Sequence, residues 1–596
     1  MDRMLCFKGP CGTLEEFEAL CAYAAAHGGT HVGISTLPKA MWKLRRDPTD
    51  PYPTWNIPHA TFFNIFTPDA LKPYYDQDYA AMVQQILAER GRIMKKYGLR
   101  GVFNGNEPSY VDNALWAVHP EWRGPRCEKP RLAKKGYYAL CVDHPEVLAM
   151  YRESVRKLCE LLPIDSFSFL SNDSGAGVCW TDSLYPGVNG NPACRHLNKG
   201  ERFAKFMSTI QAGAMDAGMP LPFVAMGGSI EPQEALGILP YLKERQTICG
   251  RTNDRDVISG SMGMTLHYFE SAFYPARNIP ELLPFIRGYG SAAARGANSV
   301  TVCLDSLAEG ENVTVRLYEK CLASAPAVTR KQAEDLLYDF CRDEVGAELC
   351  DDLYELHACI EKAKERLAAI VTGPILLIST VGDRWLTRPL VADELSLPDE
   401  DRRYFRDYQF HALSEENAAD LACVHTWRFF GGNGATFITS NLFKVAISHI
   451  ETARAKARHL ADAVTDPARA KEFRVLAQRL SVVLCIYRNA INCISFQDIM
   501  DRIDRTVPPT ENPVKYEHGD QKWHELHLVI HDELYNTGEL IRLLKEAEAP
   551  LLYGAPTPEE EDPLWLAPDI LPHLEKKLDI MLRHMEDINP LLRRDS

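Results

Sequence analysis

Carbon–oxygen bond cleavage between sugars is normally run by two carboxyl groups, one to protonate the leaving oxygen and one to stabilise or attack the developing positive centre. Residues of that kind stand here at the ends of apolar runs. Asp165-Ser-Phe-Ser-Phe-Leu-Ser-Asn-Asp173 reads as a buried strand that delivers Asn172 and Asp173 at its end. Glu107 lies in Asn104-Gly-Asn-Glu-Pro108, beside Asn106, where glycine lets the backbone approach closely and proline stiffens the chain beyond it. Asp305 comes after the run Ser299 to Leu304 and is the reserve carboxylate, with tying down a loop as its plainer role. His267 and Tyr268 end another run and have the atoms to hydrogen-bond a sugar hydroxyl. Trp55, Trp122, Trp180 and Tyr185 fall in the loops between runs, and aromatic faces are what the apolar faces of sugar rings stack on. Arg126 and Arg251 offer guanidinium forks for a carboxylate or phosphate, or for structural ion pairs. Asp143, in Asp-His-Pro-Glu146, reads instead as the cap of a helix with proline in its first turn.

The elements that must position these groups alternate in type. Strand-like runs occur at Met4–Phe7, Thr30–Ser35, Leu99–Phe103, Asp165–Asp173, Pro222–Met226, Gln246–Cys249, Met264–Tyr268 and Ser299–Leu304. Helical patterns lie between them, the first opened by the capping box Thr13-Leu-Glu-Glu16. Such alternation over residues 1–328 predicts an α/β fold, a (β/α)8 TIM barrel with long loops after strands two, three and four. In that fold, residues just past the strand C-termini converge on one mouth. From residue 329 to 596 the period is mainly helical, with an irregular segment at 372–434. This region is expected either to cover one side of the barrel or to build a homodimer, with Trp385, Arg388, Trp427 and Arg428 as an aromatic-basic cluster.

Composition narrows the partners. The chain has 596 residues, 46% of them hydrophobic, and 66 Lys and Arg against 81 Asp and Glu give a formal charge of −15. That charge argues against nucleic acid as a partner, and the absence of a long apolar run argues against a membrane. Seventeen cysteines without tight paired spacing read as reduced core thiols of a cytoplasmic protein. Neither a phosphate-binding Gly-rich loop nor a Gly-x-Ser-x-Gly or His-Glu-x-x-His motif occurs. No cofactor and no resident metal is expected.

At Ser171-Asn-Asp-Ser-Gly-Ala-Gly-Val-Cys-Trp180, with Cys194 beyond it, the chain resembles a group of bacterial barrel glycosidases that includes β-N-acetylhexosaminidase-like and α-glucuronidase-like proteins. The resemblance implies a glycosidase barrel followed by a helical domain. Ser174 stands after Asp173 where the hexosaminidases carry a paired Asp-Glu. Asn106-Glu-Pro108 is similar to an acid/base motif of retaining glycosidases, in which it comes after the fourth strand. The reading reached is a glycoside hydrolase, exo-acting on small oligosaccharides or glycoconjugates, with Asp173 and Glu107 as the carboxylate pair. Two alternatives stay open: a metal-dependent sugar isomerase or lyase using Glu107, Asp173, His267 and Asp305 as ligands, and a non-catalytic carbohydrate-binding protein.

Overall fold

The computed structural model describes residues 4–9, 11–37, 61–126, 138–171, 197–228, 232–248, 259–261, 273–294, 299–304, 313–367, 385–392, 397–408, 433–502, 517–554 and 566–585. The chain divides into two compact units. One comprises Met1–Arg45, Tyr52–Leu266 and Phe285–Arg330, and the other Arg46–Pro51, His267–Pro284 and Lys331–Ser596.

The first unit is built on eight parallel strands. β1 (Met4–Lys8), β2 (His31–Gly33) and β3 (Arg100–Gly105) come first, and the loop after β3 carries β4 (Tyr110–Val111), β5 (Arg123–Arg126) and β6 (Tyr138–Leu140), a separate antiparallel sheet. β7 (Ile164–Ser171), β8 (Phe223–Gly228), β9 (Gln246–Ile248), β10 (Ser259–Ser261) and β11 (Ser299–Cys303) complete the main sheet. Its order, β10-β11-β1-β2-β3-β7-β8-β9, is the sequential order of a (β/α)8 barrel with β11 paired back to β1. Among the described residues the ladder between β9 and β10 is the one not formed. The seventh barrel strand is Ser259–Ser261, in register with Ser299–Thr301. It lies ahead of the run Met264–Tyr268 expected for it, and that run falls outside the described residues.

Helices α1 (Leu14–Ala26), α2 (Phe62–Ile65), α3 (Gln77–Tyr97), α4 (Pro145–Leu161), α5 (Lys199–Asp216), α6 (Pro232–Ile238), α7 (Leu282–Ala294) and α8 (Val313–Ala323) are interleaved with the strands. Local chemistry sets their ends. Thr13 accepts from the Glu16 N–H at 3.2 Å while Glu16 Oε2 accepts from the Thr13 N–H, so the predicted capping box opens α1. Asp76 caps α3, and Gly98 ends it in the left-handed region at φ 68°, which favours glycine. Phe17, Leu20, Cys21 and Ala24 of α1, and Val83, Leu87 and Met94 of α3, are buried as the helical period requires.

Two polar groups tie strand ends together. At the N-terminal end of the barrel, Asp165 accepts from Arg100 at 2.6 Å and is bonded to His31 Nε2 at 2.7 Å. Burial alone would raise the Asp165 carboxyl, but hydrogen bonds from His31 and Arg100 bring it below its usual range. Toward the other end, Arg90 of α3 is 1% exposed. Its guanidinium donates to the carbonyls of Ile34, Thr36 and Cys11 at 2.6, 2.6 and 2.7 Å, holding the segments just beyond β2 and β1.

The second unit is mainly helical: α9 (Arg330–Val345), α10 (Cys350–Leu367), α11 (Asp399–Tyr408), α12 (Asn433–Ala463), α13 (Pro467–Arg502), α14 (Glu517–Lys545) and α15 (Leu571–Arg583). α12 packs on α10 and α13, α13 on α14, and α14 on α15. Tyr274, after the seventh barrel strand in sequence, stacks on Tyr553 of this unit at 6.0 Å. Among the described residues no helix is long and apolar enough to cross a membrane. The described cysteines are free and buried.

At the centre of this unit Glu533 and Lys577 form an ion pair with both side chains 1% exposed. Glu533 also accepts from Asn489 at 2.7 Å, Asn492 at 2.8 Å and Thr537 at 3.3 Å, and Lys577 donates to the Leu386 carbonyl at 3.0 Å. Asn489 reaches the Trp385 carbonyl as well. Trp385 and Arg388 are buried core residues of this unit, with Arg388 over the Phe496 ring at 5.5 Å. Trp427 and Arg428 lie outside the described residues.

Removing one member of such a pair strands the other in a dry core. Lys577→Met is expected to destabilise the protein by about 3–5 kcal/mol in urea unfolding. Lys577→Met with Glu533→Gln should cost less than the two single changes summed; additive costs would show that the pair is not coupled.

Candidate active site

The C-terminal rim of the barrel is where the sequence placed its carboxylates, and Glu107 is the one among the described residues. β3 ends at Gly105, and Asn106, Glu107 and Ser109 come next with exposures of 5%, 0% and 2%. Glu107 Oε1 accepts from the Phe62 N–H at 2.7 Å. Its Oε2 accepts from the Ser109 N–H at 3.2 Å and from the Tyr151 hydroxyl at 3.2 Å. Three donors from three parts of the chain thus converge on one carboxyl: α2 after β2, the turn after β3, and α4.

An aromatic box surrounds it. Phe62 stacks on Phe103 at 4.8 Å and meets Tyr151 edge-on at 6.3 Å, and Phe63 packs on Tyr151 at 4.4 Å. Burial among these rings pushes the Glu107 carboxyl up to about 7, against the opposing pull of the Phe62, Ser109 and Tyr151 hydrogen bonds. The negative charge of Glu107 in turn adds to the burial that raises the Tyr75 hydroxyl well above its usual range.

Strand geometry gives each neighbouring group a face. Phe7 meets Tyr23 of α1 edge-on at 6.1 Å, so Phe7 points to the helical layer and its neighbours Cys6 and Lys8 to the barrel interior. A Cβ on Gly101 would fall 3.2 Å from Met94 of α3, which puts positions 101 and 103 on the helical side and 102 and 104 on the interior side. Consistent with this, Lys8 Nζ donates to Asn104 Oδ1 at 2.7 Å. Glu107, bonded to Tyr151 of α4 and packed with the Phe62 ring system, belongs to the helical side of the rim.

The other expected residues fall into three groups: those that pack the loop after β3, those paired elsewhere, and those outside the described residues. Trp122 is 4% exposed, stacked on His119 at 3.7 Å, and its indole N–H donates to Glu146 at 3.1 Å. It packs the β3 loop and is not an open platform for a sugar ring. Arg126 ends β5 opposite Tyr138. Asp143 does not cap α4, whose N-cap is His144; it pairs with the buried Arg202 at 2.5 Å. Asp173, Asp305, Asn172, Trp55, Trp180, Tyr185, His267, Tyr268 and Arg251 lie outside the described residues. Among the described residues no group of three or more His, Cys, Asp or Glu is placed to hold a metal ion.

Sequence reading missed Tyr151 and the Phe62 amide as partners of Glu107, and Tyr75 as a group that its charge acts on. Tyr151 carried a signal: it lies on the buried stripe Val147, Tyr151, Val155, Leu158 of α4, and a buried tyrosine hydroxyl requires a partner.

No protein-family model and no curated protein sequence matches the chain. Among solved structures it is similar to a GH138 enzyme targeting pectin rhamnogalacturonan II, at 11% identity over 99% of this chain and 85% of that one, with a TM-score of 0.46. It is also similar to a GH36 α-galactosidase of Geobacillus stearothermophilus, at 13% identity over 54% of this chain and 41% of that one, with a TM-score of 0.33. A β-N-acetylhexosaminidase shares 14% identity over 56% of this chain and 70% of that one, with a TM-score of 0.29.

A carboxyl raised on folding binds a proton that the unfolded chain has already released, so its contribution to stability is present below the unfolded pKa and falls as pH rises toward the folded one. Between about pH 4.5 and 7 the native protein is expected to lose stability through Glu107, and Glu107→Gln should remove that slope from urea-unfolding curves. An unchanged slope would mean that Glu107 titrates normally.

Proposed function

We propose that the chain is a glycoside hydrolase, exo-acting on small oligosaccharides or glycoconjugates, that works at the C-terminal rim of the barrel with Asp173 and Glu107 as its carboxyl pair and Asp305 in reserve. The observation that supports this reading most is the Glu107 carboxyl, raised to about 7 just past the end of a barrel strand. A carboxylic acid that keeps its proton near pH 7 is what protonation of a glycosidic oxygen requires. Asp173 comes two residues after the end of β7, the strand paired with β3 as far as Gly105 opposite Phe169. An ionised Asp173 would stabilise or attack the oxocarbenium-like centre while Glu107 gives its proton to the leaving oxygen. Since Glu107 is enclosed on the helical side, proton delivery requires its side chain to turn toward the rim and release Tyr151. Asn106, Asn172, Trp55, Trp180, Tyr185, His267, Tyr268, Arg126 and Arg251 are the proposed sugar contacts.

Chromogenic neutral, N-acetylated and uronic glycosides test the reading. Asp173→Asn and Glu107→Gln are expected to lower kcat by a factor on the order of a thousand or more while thermal unfolding stays cooperative. Tyr151→Phe removes a hydrogen bond that lowers the Glu107 pKa, so the basic limb of the pH–rate profile should move to higher pH. Near-normal turnover by Glu107→Gln, or a loss that only tracks the unfolded fraction, would remove Glu107 from the pair and leave Asp173 with Asp305.

A further inference from the structure

Lys8 has no part in the carboxyl pair, yet it stands at the same rim. Its side chain leaves the end of β1 and crosses Gly33, where a Cβ would fall 2.9 Å from Lys8 Cγ. It then reaches Asn104 Oδ1 at 2.7 Å on the third strand. Asn104 is itself fixed, since its N–H donates to the buried Ser35 hydroxyl at 2.8 Å. The lysine is half-buried and held across three strands, unlike a surface lysine with a solvated, mobile stem.

Among the described residues this ammonium has no counter-ion. An ammonium has three donors, and the bond to Asn104 uses one of them on a neutral amide. Among the described residues no carboxylate pairs with Lys8. Its nearest interior neighbours in register are Gly33 on β2 and Cys303 on β11, neither of them a counter-ion. A partly desolvated cation with spare donors gains most from an anion that arrives from solution.

We infer that Lys8 is a specificity-determining residue that takes an oxyanion substituent of the substrate, a sulfate ester, phosphate ester or carboxylate carried by the sugar. The inference rests on the glycoside-hydrolase reading for the sugar and on the rim geometry for the anion. Lysine suits all three groups because it is a compact charge with rotatable donors, where arginine would favour a planar, bidentate fit.

The test compares kcat/KM for a neutral chromogenic glycoside with its 6-sulfate, its 6-phosphate and the corresponding uronide. The expected result is a preference for at least one of the three charged forms, identifying the oxyanion, which Lys8→Met reduces roughly 10- to 100-fold, mainly through KM. Lys8→Arg should keep a preference of the same sign, and added salt should weaken it. A protein that cleaves the neutral glycoside with no preference for any charged form, or whose preference survives Lys8→Met, would overturn the role of Lys8 and leave the hydrolase reading intact. If no glycoside is cleaved, the hydrolase reading fails, and calorimetric titration with inorganic sulfate, inorganic phosphate and glucuronate decides for Lys8. Binding abolished by Lys8→Met supports the anion site, and absent or unchanged binding overturns it.

Discussion

Side chains along a strand alternate between two faces, and this two-residue period governs what each position at the rim can do. Lys8 and Asn104 fall on the interior face and bond each other across Gly33. Phe103 falls on the other face and stacks on Phe62, and Glu107 joins that ring system through Tyr151. The same alternation therefore separates a polar interior from an aromatic shell at one end of the sheet. Both the carboxyl with near-neutral proton affinity and the interior ammonium of Lys8 arise from it. The first is enclosed by rings and the second by amides and small side chains.

Burial has different consequences for these groups according to what accompanies it. Asp165 is buried with His31 and Arg100 and ends up more acidic than usual, while Glu107 is buried with neutral donors only and ends up less so. Two carboxyls at opposite ends of neighbouring strands are thus driven apart by their partners, not by their depth. Glu533 shows a third case in the helical unit, where an ammonium, two amides and a hydroxyl surround the carboxylate and make it a structural hub.

Much of this architecture was legible in the sequence because it derives from periodicity and capping. The capping box at Thr13, the strand runs at Met4, Leu99, Asp165, Pro222 and Ser299, and the long helices after residue 433 all express local rules that tertiary packing did not override. Departures occur where long-range pairing decides. The short β10 has no apolar run to announce it and is defined by its ladder to β11. The strands β4, β5 and β6 are too short to carry a pattern of their own. Asp143 has the composition of a helix cap, but the buried Arg202 competes for it and wins, since a guanidinium in the core has greater need of a carboxylate than an exposed helix end has. Trp122 looks like a sugar platform by type and loop position, and the Glu146 carboxylate that satisfies its N–H comes from a helix that no spacing rule connects to it. Likewise, position alone named Glu107, whereas the face it occupies depends on Phe62 and Tyr151, residues distant from it in the chain.

Arg90 links these observations to binding. By donating to the carbonyls of Cys11, Ile34 and Thr36 it joins the exits of the first two barrel strands to a helix outside the sheet. The conformational entropy of those two exits is consequently lost during folding and is not charged again when a molecule docks. This part of the rim is a rigid template whose shape and charge are in place before any molecule reaches it.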